Sequence, residues 1–292
     1  MDRFAQQAVT GLSIGSIYAL LAVGYALIFS IFNFSNFAFG SSMMIGAYAA
    51  YYALKSPSIP TWAAIILSLL IGAASSAIIE RVAYRPLRVR NSPKLFLMIT
   101  AIGVNLLLVQ SVVVVIGGEY RALPLPSRLG VISLGRVNIA INDLLAAAVS
   151  GVSLLALWTF LEKTRLGRAI RACSYDMSTA SLMGIPVDLI AFLVFAISGF
   201  LAAVSGVFCA QKYAVSPYVG DISNKAFIAS VLGGLGSLPG AVVGGLLLGF
   251  VETMISGFVS SLYRDLFSYS LLVIALVFFP QGMFGKDVRE SL

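Results

Sequence analysis

Long apolar runs dominate the chain, at approximately 8–31, 37–54, 61–79, 95–116, 141–161, 187–210, 226–237, 239–259 and 266–280. Several approach or exceed the ~20 apolar residues that carry an α-helix across a bilayer. The pattern predicts an all-α, polytopic membrane protein of about eight or nine membrane segments, forming a single transmembrane domain over 1–292. Asn33-Phe34-Ser35-Asn36 splits the first two runs, and Gly236-Ser237-Leu238-Pro239-Gly240 bends the region 226–259. That region reads as two short passes or a re-entrant pair. Broken helices near mid-membrane bring backbone polar groups to a substrate in transporters, and their occurrence in both halves suggests an inverted repeat.

The longest polar, basic interruption is 162–186, EKTRLGRAIRACSYDMSTASLMGIP. It predicts a short helix over Asp176–Gly184. The Asp176 carboxylate can accept the orphan N–H groups of a first turn. Gly184 can take the left-handed closing conformation, and Pro186 bars continuation. Met177, Leu182 and Met183 are then available at the surface, with Ser178 and Ala180 between them. Two readings stand at this point: an ordinary interfacial loop helix, or a plug for a partner's socket.

Composition agrees with the membrane reading. The chain is 59% hydrophobic and 11% charged, against about 25% charged in soluble domains. Asp2 and Arg3 provide no basic region, so the N-terminus does not read as a signal peptide. The net charge of +7 is not a sign of nucleic-acid binding, because its placement is uneven. Arg81, Arg85, Arg88, Arg90 and Lys94 crowd one loop, and Lys163, Arg165, Arg168 and Arg171 another. The positive-inside rule places both loops in the cytoplasm, with 81–94 read as a topology signal. Loop 117–140 is then external, and Pro124, Pro126, Gly130 and Gly135 within it suggest a small hairpin or interfacial segment. The C-terminal end, with Lys286 and Arg289, should lie inside. The side of the N-terminus stays open.

Cys173 falls in a predicted cytoplasmic loop and Cys209 at the far end of a span, so they should not pair. With no histidine and no cysteine cluster, a His/Cys metal site is excluded. Gly233–Gly240 superficially resembles a nucleotide loop, but no Gly-Lys-Ser/Thr follows, so this chain should not hydrolyse ATP by itself. Glycines four apart (Gly236, Gly240, Gly244; Gly245, Gly249) fit close helix packing, or a bend facing substrate. Glu252 is the acidic residue deepest in an apolar run, either a hydrogen-bonding partner or a pathway residue. Asn105 and Gln110 read as interhelical hydrogen-bonders. Asn33, Asn36 and Gly236 at the two breaks are candidates for the substrate pathway.

Several stretches resemble ABC-importer permeases of the branched-chain amino acid (LivH) type, across nearly the whole chain. They include Gly11–Leu20, Gly24-Tyr25, Asn36-Phe37-Ala38, Met44–Tyr48 and Glu80–Arg88. Arg171-Ala172-Cys173, Ala180–Ile185 and Ala229–Ala241 complete the set, and the last three blocks together are the most specific. The resemblance implies a second, related permease, two ATPase subunits that carry ATP and Mg, and an external solute-binding protein, all around a multi-pass chain in a bacterial-type inner membrane. It implies that Asp176–Gly184 is the coupling helix seated in an ATPase groove, and that no cofactor is bound by this chain. The family commonly continues Asn-Phe-Ala with His-Gly-Glu, where this chain has Phe39-Gly40-Ser41. Phe39 and Ser41 thus join the pathway candidates. A branched-chain amino acid, another hydrophobic amino acid, or an apolar carboxylate or amide all remain open as the solute.

The competing class is a secondary transporter or channel for a small amphipathic solute, working without ATPases. It calls for paired intramembrane acids or a proton relay, and only Glu252 qualifies. An intramembrane enzyme would need a catalytic constellation, and none is present.

Overall fold

The computed structural model describes residues 2–90, 92–124, 130–134, 137–279 and 282–284. Lys286 and Arg289, like Pro126 and Gly135, lie outside the described residues. In chain order the elements begin with α1 (Asp2–Phe32), α2 (Phe39–Lys55) and α3 (Thr61–Ile79). A π-helical turn, Glu80–Tyr84, joins α3 to α4 (Arg85–Val89), and α5 (Lys94–Ile116) follows. An antiparallel hairpin, β1 (Val131–Leu134) with β2 (Val137–Ala140), occupies the predicted loop, pairing Val131 with Ala140. Next come α6 (Ile141–Lys163), α7 (Arg165–Tyr175), α8 (Met177–Leu182) and α9 (Val187–Lys212). A 3-10 turn at Pro217–Ile222 leads into α10 (Ser223–Gly233), α11 (Leu238–Phe258) and α12 (Arg264–Phe278).

Among the described residues, seven helices are long and apolar enough to cross a membrane. The protein is a multi-pass, all-α membrane protein. Two further apolar segments are shorter: α2 has 17 residues and α10 only 11. The region 226–259 therefore has unequal legs, because α11 is a full-length 21-residue helix.

The bundle is organised around α1. In its most apolar window 89% of residues are buried, against 6% for α5. A helix apolar all round and enclosed by protein forms a core, whereas one apolar all round and exposed presents itself to lipid. Helix α11 runs antiparallel along α1, with Gly245 against Ala19 and Gly249 against Gly15. The other glycine stripe of α11 faces α10: Gly240 lies on Gly233 and Gly244 on Ala229. The two stripes thus serve two different neighbours. Without a hydrophobic force between helices in lipid, this close backbone approach supplies the dispersion that holds them. A third small-residue junction joins α2, α3 and α9 where Gly46 and Gly72 both meet Ala203.

Two interruptions of the helical pattern come together. The turn before α2 and the 3-10 turn before α10 meet at Gly40 and Gly220, each close enough that a Cβ would collide with the other's carbonyl. Several hydroxyls within the spans bond back to their own helices, although those of Ser150, Ser198, Ser205 and Ser230 have no partner among the described residues. Ser16, Ser30 and Ser68 each donate to the carbonyl three residues earlier, and Thr253 to that of Gly249. Such back-bonding satisfies hydroxyls where water is absent. Both cysteines are buried and free.

Candidate functional site

Helices α7 and α8 form one end of the molecule, called here the basic end. Thr164 caps α7, its hydroxyl accepting from Gly167 N at 2.9 Å. Gly167, Ile170 and Cys173 share the buried face of α7, while Arg165 and Arg168 are exposed. This is a surface helix with one apolar stripe. Helix α8 has only six residues, too short to be stable by local propensity alone. Its ends carry it. The Asp176 carboxylate accepts from Ser178 N at 2.8 Å and from the Ser178 and Thr179 hydroxyls, both at 2.6 Å. Those hydrogen bonds, led by the Ser178 hydroxyl, hold its pKa down to about 2. At the other end Gly184 has φ +82, and the Gly184 and Ile185 amides return to the carbonyls of Ser181 and Ala180. Ala180 is buried, so α8 is pinned on its inner side. Leu182 and Met183 point away, 88% and 80% exposed.

A cavity of about 250 Å³ opens beside α8, bounded by Phe32, Phe34, Tyr84, Phe195, Arg88 and Met177, with Glu80 in its wall. Glu80, Tyr84 and Arg88 are spaced four apart across the π-helical turn. Tyr84 donates to Asn36 Oδ1 at 2.6 Å, and Arg88 lies over the Phe32 ring. Arg88 Nη2 bridges Glu80 (2.9 Å) and Asp188 (2.7 Å), and Arg85 also pairs with Asp188 at 3.0 Å. Two arginines of the loop read as a topology signal are thus built into a network joining α4 to α9.

The pathway candidates separate into three places. Asn36, Phe39 and Ser41 are buried at the start of α2. Asn36 Oδ1 accepts from Ala38 N at 3.1 Å, Phe39 meets the Tyr25 ring edge-on at 6.3 Å, and Ser41 donates to Asn105 at 3.0 Å. Asn33 ends α1 with φ +50 and is exposed. Gly236, with φ +85, sits beside Ser30 and Phe29, also at the end of α1. Glu252 belongs to a third cluster at the opposite end. It is 1% exposed and pairs with Lys225, with Arg264 Nε at 2.8 Å, and with the Ser268 hydroxyl. Arg264 also donates to Tyr18 at 2.7 Å, and Lys225 to Asp265 at 2.9 Å. This network ties α1, α10, α11 and α12 together, the partnering role that the sequence left open for Glu252.

The family model described as "Branched-chain amino acid transport system / permease component" matches residues 7–276. The chain belongs to this permease family. It is 40% identical over 303 residues to the LivH permease protein of the high-affinity branched-chain amino acid transport system of Salmonella typhimurium, covering 99% of this chain and 98% of that one. It is 38% identical to the BraD permease protein of Pseudomonas aeruginosa, over 99% and 98% of the two chains. A probable LivH permease of Methanocaldococcus jannaschii is 29% identical over 94% and 90%. In this permease, the Glu80–Arg88–Asp188 network is what sequence reasoning missed. Its signal was the i, i+4, i+8 spacing of Glu80, Tyr84 and Arg88 within a stretch otherwise read as basic. The apolar runs left 211–225 as a break, but the 3-10 turn within it was not read, although Pro217, Gly220 and Asp221 announce it.

Proposed function

We propose that the chain is one of two related permeases in an ATP-binding-cassette importer for an amino acid with an apolar side chain. Two ATPase subunits bind ATP and Mg, and an external binding protein delivers the solute. The basic end faces the cytoplasm of a bacterial-type inner membrane. The N-terminal half of α1 then lies outside, since Ser13 bonds Asp143 at the start of α6, the end opposite α7 and α8. ATP binding and hydrolysis shift α8, the rigid spans carry the motion, and the paired permeases open alternately to each side.

The observation that supports this reading most is α8 itself. Two large apolar side chains stand exposed at the charged end, on a helix whose caps and buried Ala180 fix it in place. Exposed apolar anchors on an ordered helix fit a groove in a partner. Leu182→Asp with Met183→Asp tests it. Because both side chains are exposed, the variant should keep its fold yet lose the ATPase subunits on affinity purification from detergent. Undiminished co-purification would contradict the assignment.

A further inference from the structure

We propose that the aromatic cavity at the basic end is a binding site for the free zwitterion of an amino acid with an apolar side chain, separate from the α2 and α10 breaks. The inference rests on the importer reading for its choice of solute. The cavity itself stands on its own geometry.

The charges in its wall are complementary to a zwitterion. Glu80 is 1% exposed, and only its Oε1 is bonded, to Arg88. Its Oε2 is buried without a partner. Arg88 commits Nη2 to Glu80 and Asp188, yet its Nη1 is also buried without a partner. Each member of this pair, bonded through Oε1 and Nη2 at 2.9 Å, therefore keeps one polar atom without a partner among the described residues. A buried donor or acceptor without a hydrogen bond costs free energy even inside an ion pair, so a ligand that satisfies both atoms is favoured. An α-ammonium can donate to Glu80 Oε2 while the adjacent α-carboxylate accepts from Arg88 Nη1.

The rest of the wall suits an apolar side chain. Tyr84 packs against both Phe34 and Phe195, with tilted rings whose centroids lie 5.4 and 5.2 Å away. Aromatic walls with a few placed polar groups are the usual make-up of small-molecule sites. The volume of about 250 Å³ falls just below the ~300–1,000 Å³ of drug-sized pockets, as a smaller solute requires. The π-helical turn gives this arrangement its register, and such turns concentrate at functional sites. Met177, the first residue of α8, closes one side. An occupant would touch the helix proposed to receive force from the ATPases.

The test is equilibrium binding of tritiated L-leucine to the complete detergent-purified complex, with the solute-binding protein left out. Saturable binding is expected, displaced by unlabelled L-isoleucine. Leucinamide, which lacks the carboxylate, and 4-methylpentanoate, which lacks the ammonium, should compete poorly. Glu80→Gln, nearly isosteric, should weaken binding roughly tenfold or more through loss of a charge-assisted hydrogen bond. The absence of saturable binding to the wild-type complex at millimolar leucine would overturn the inference. So would equal competition by the two analogues, or unchanged affinity in a Glu80→Gln complex that retains its ATPases. ATP-driven leucine uptake by the same wild-type preparation, with binding protein restored, reports separately on the importer reading. A complex that transports leucine but lacks this site refutes only the site.

Discussion

Gly184 and Asp176 set the shape of α8 at the residue scale. At φ +82, a side chain on Gly184 would meet open space, so any cost of substitution lies in the backbone. An L-residue there is disfavoured by about 1–2 kcal/mol. Gly184→Val is therefore expected to distort the end of α8 and uncouple solute uptake from ATP hydrolysis while leaving assembly in place. Normal ATP-driven uptake by an assembled Gly184→Val complex would refute this. Asp176 carries a pH prediction. Its folded pKa, held near 2 by the Ser178 and Thr179 hydrogen bonds, lies below its ordinary 3.8. The stabilisation is then complete above about pH 4 and fades only as pH falls toward 2. Between pH 5 and 8 the cap should stay ionised, so any pH dependence of transport in that range must come from elsewhere. Asp176→Asn, which keeps an acceptor, should preserve coupling better than Asp176→Ala. Equal ratios of uptake to ATP hydrolysis in the two variants would show that the cap is not what orders α8.

The glycine stripes of α11 act at the scale of elements. Gly249 is packed against the backbone of Gly15, so Gly249→Leu must push α1 and α11 apart. Overpacking of this kind costs typically about 1–3 kcal/mol. Gly103 on α5 has nothing within 4 Å of where its Cβ would be, and Gly103→Leu is the matched control. Thermal unfolding in detergent should drop clearly for the first variant and little for the second, and equal shifts would contradict the packing. The ion cluster makes a second element-scale prediction. Glu252→Gln leaves Lys225 and Arg264 facing each other without their shared carboxylate. Breaking a buried pair costs about 3–5 kcal/mol, with the lower end apt because both cations reach partly into the open. The variant should lose stability before it loses solute selectivity. A stable variant with altered selectivity would instead make Glu252 a pathway residue.

Elements with local causes were legible in the sequence. The limits of α8 follow from a carboxylate, a glycine and a proline within eleven residues, and the spans follow from apolar length. What was not legible depends on partners far along the chain. The shortness of α10 reflects the meeting of Gly40 with Gly220. The Glu80–Arg88 pair gains meaning only through the π-helical turn and through Asp188, 100 residues beyond Arg88. Asn36, Phe39 and Ser41 stand close in the sequence, but nothing local tells that Asn36 and Ser41 would be hydrogen-bonded to Tyr84 and Asn105, or that Phe39 would pack on Tyr25.

For the whole molecule, a tightly packed core stands beside a small helix with exposed apolar side chains. The α1–α11 pair and the small-residue junction at Ala203 leave little room for internal bending, so motion at α8 should move packed spans as bodies. In the proposed importer the protein contributes a path and a lever, while the energy comes from its neighbours. The most direct measurement is labelled-leucine uptake into proteoliposomes, comparing this chain and its partner permease alone with the same pair joined to the ATPases and binding protein. Concentrative uptake is expected only in the second preparation, and only with hydrolysable ATP. Concentrative, nucleotide-independent uptake by the permeases alone would contradict the account.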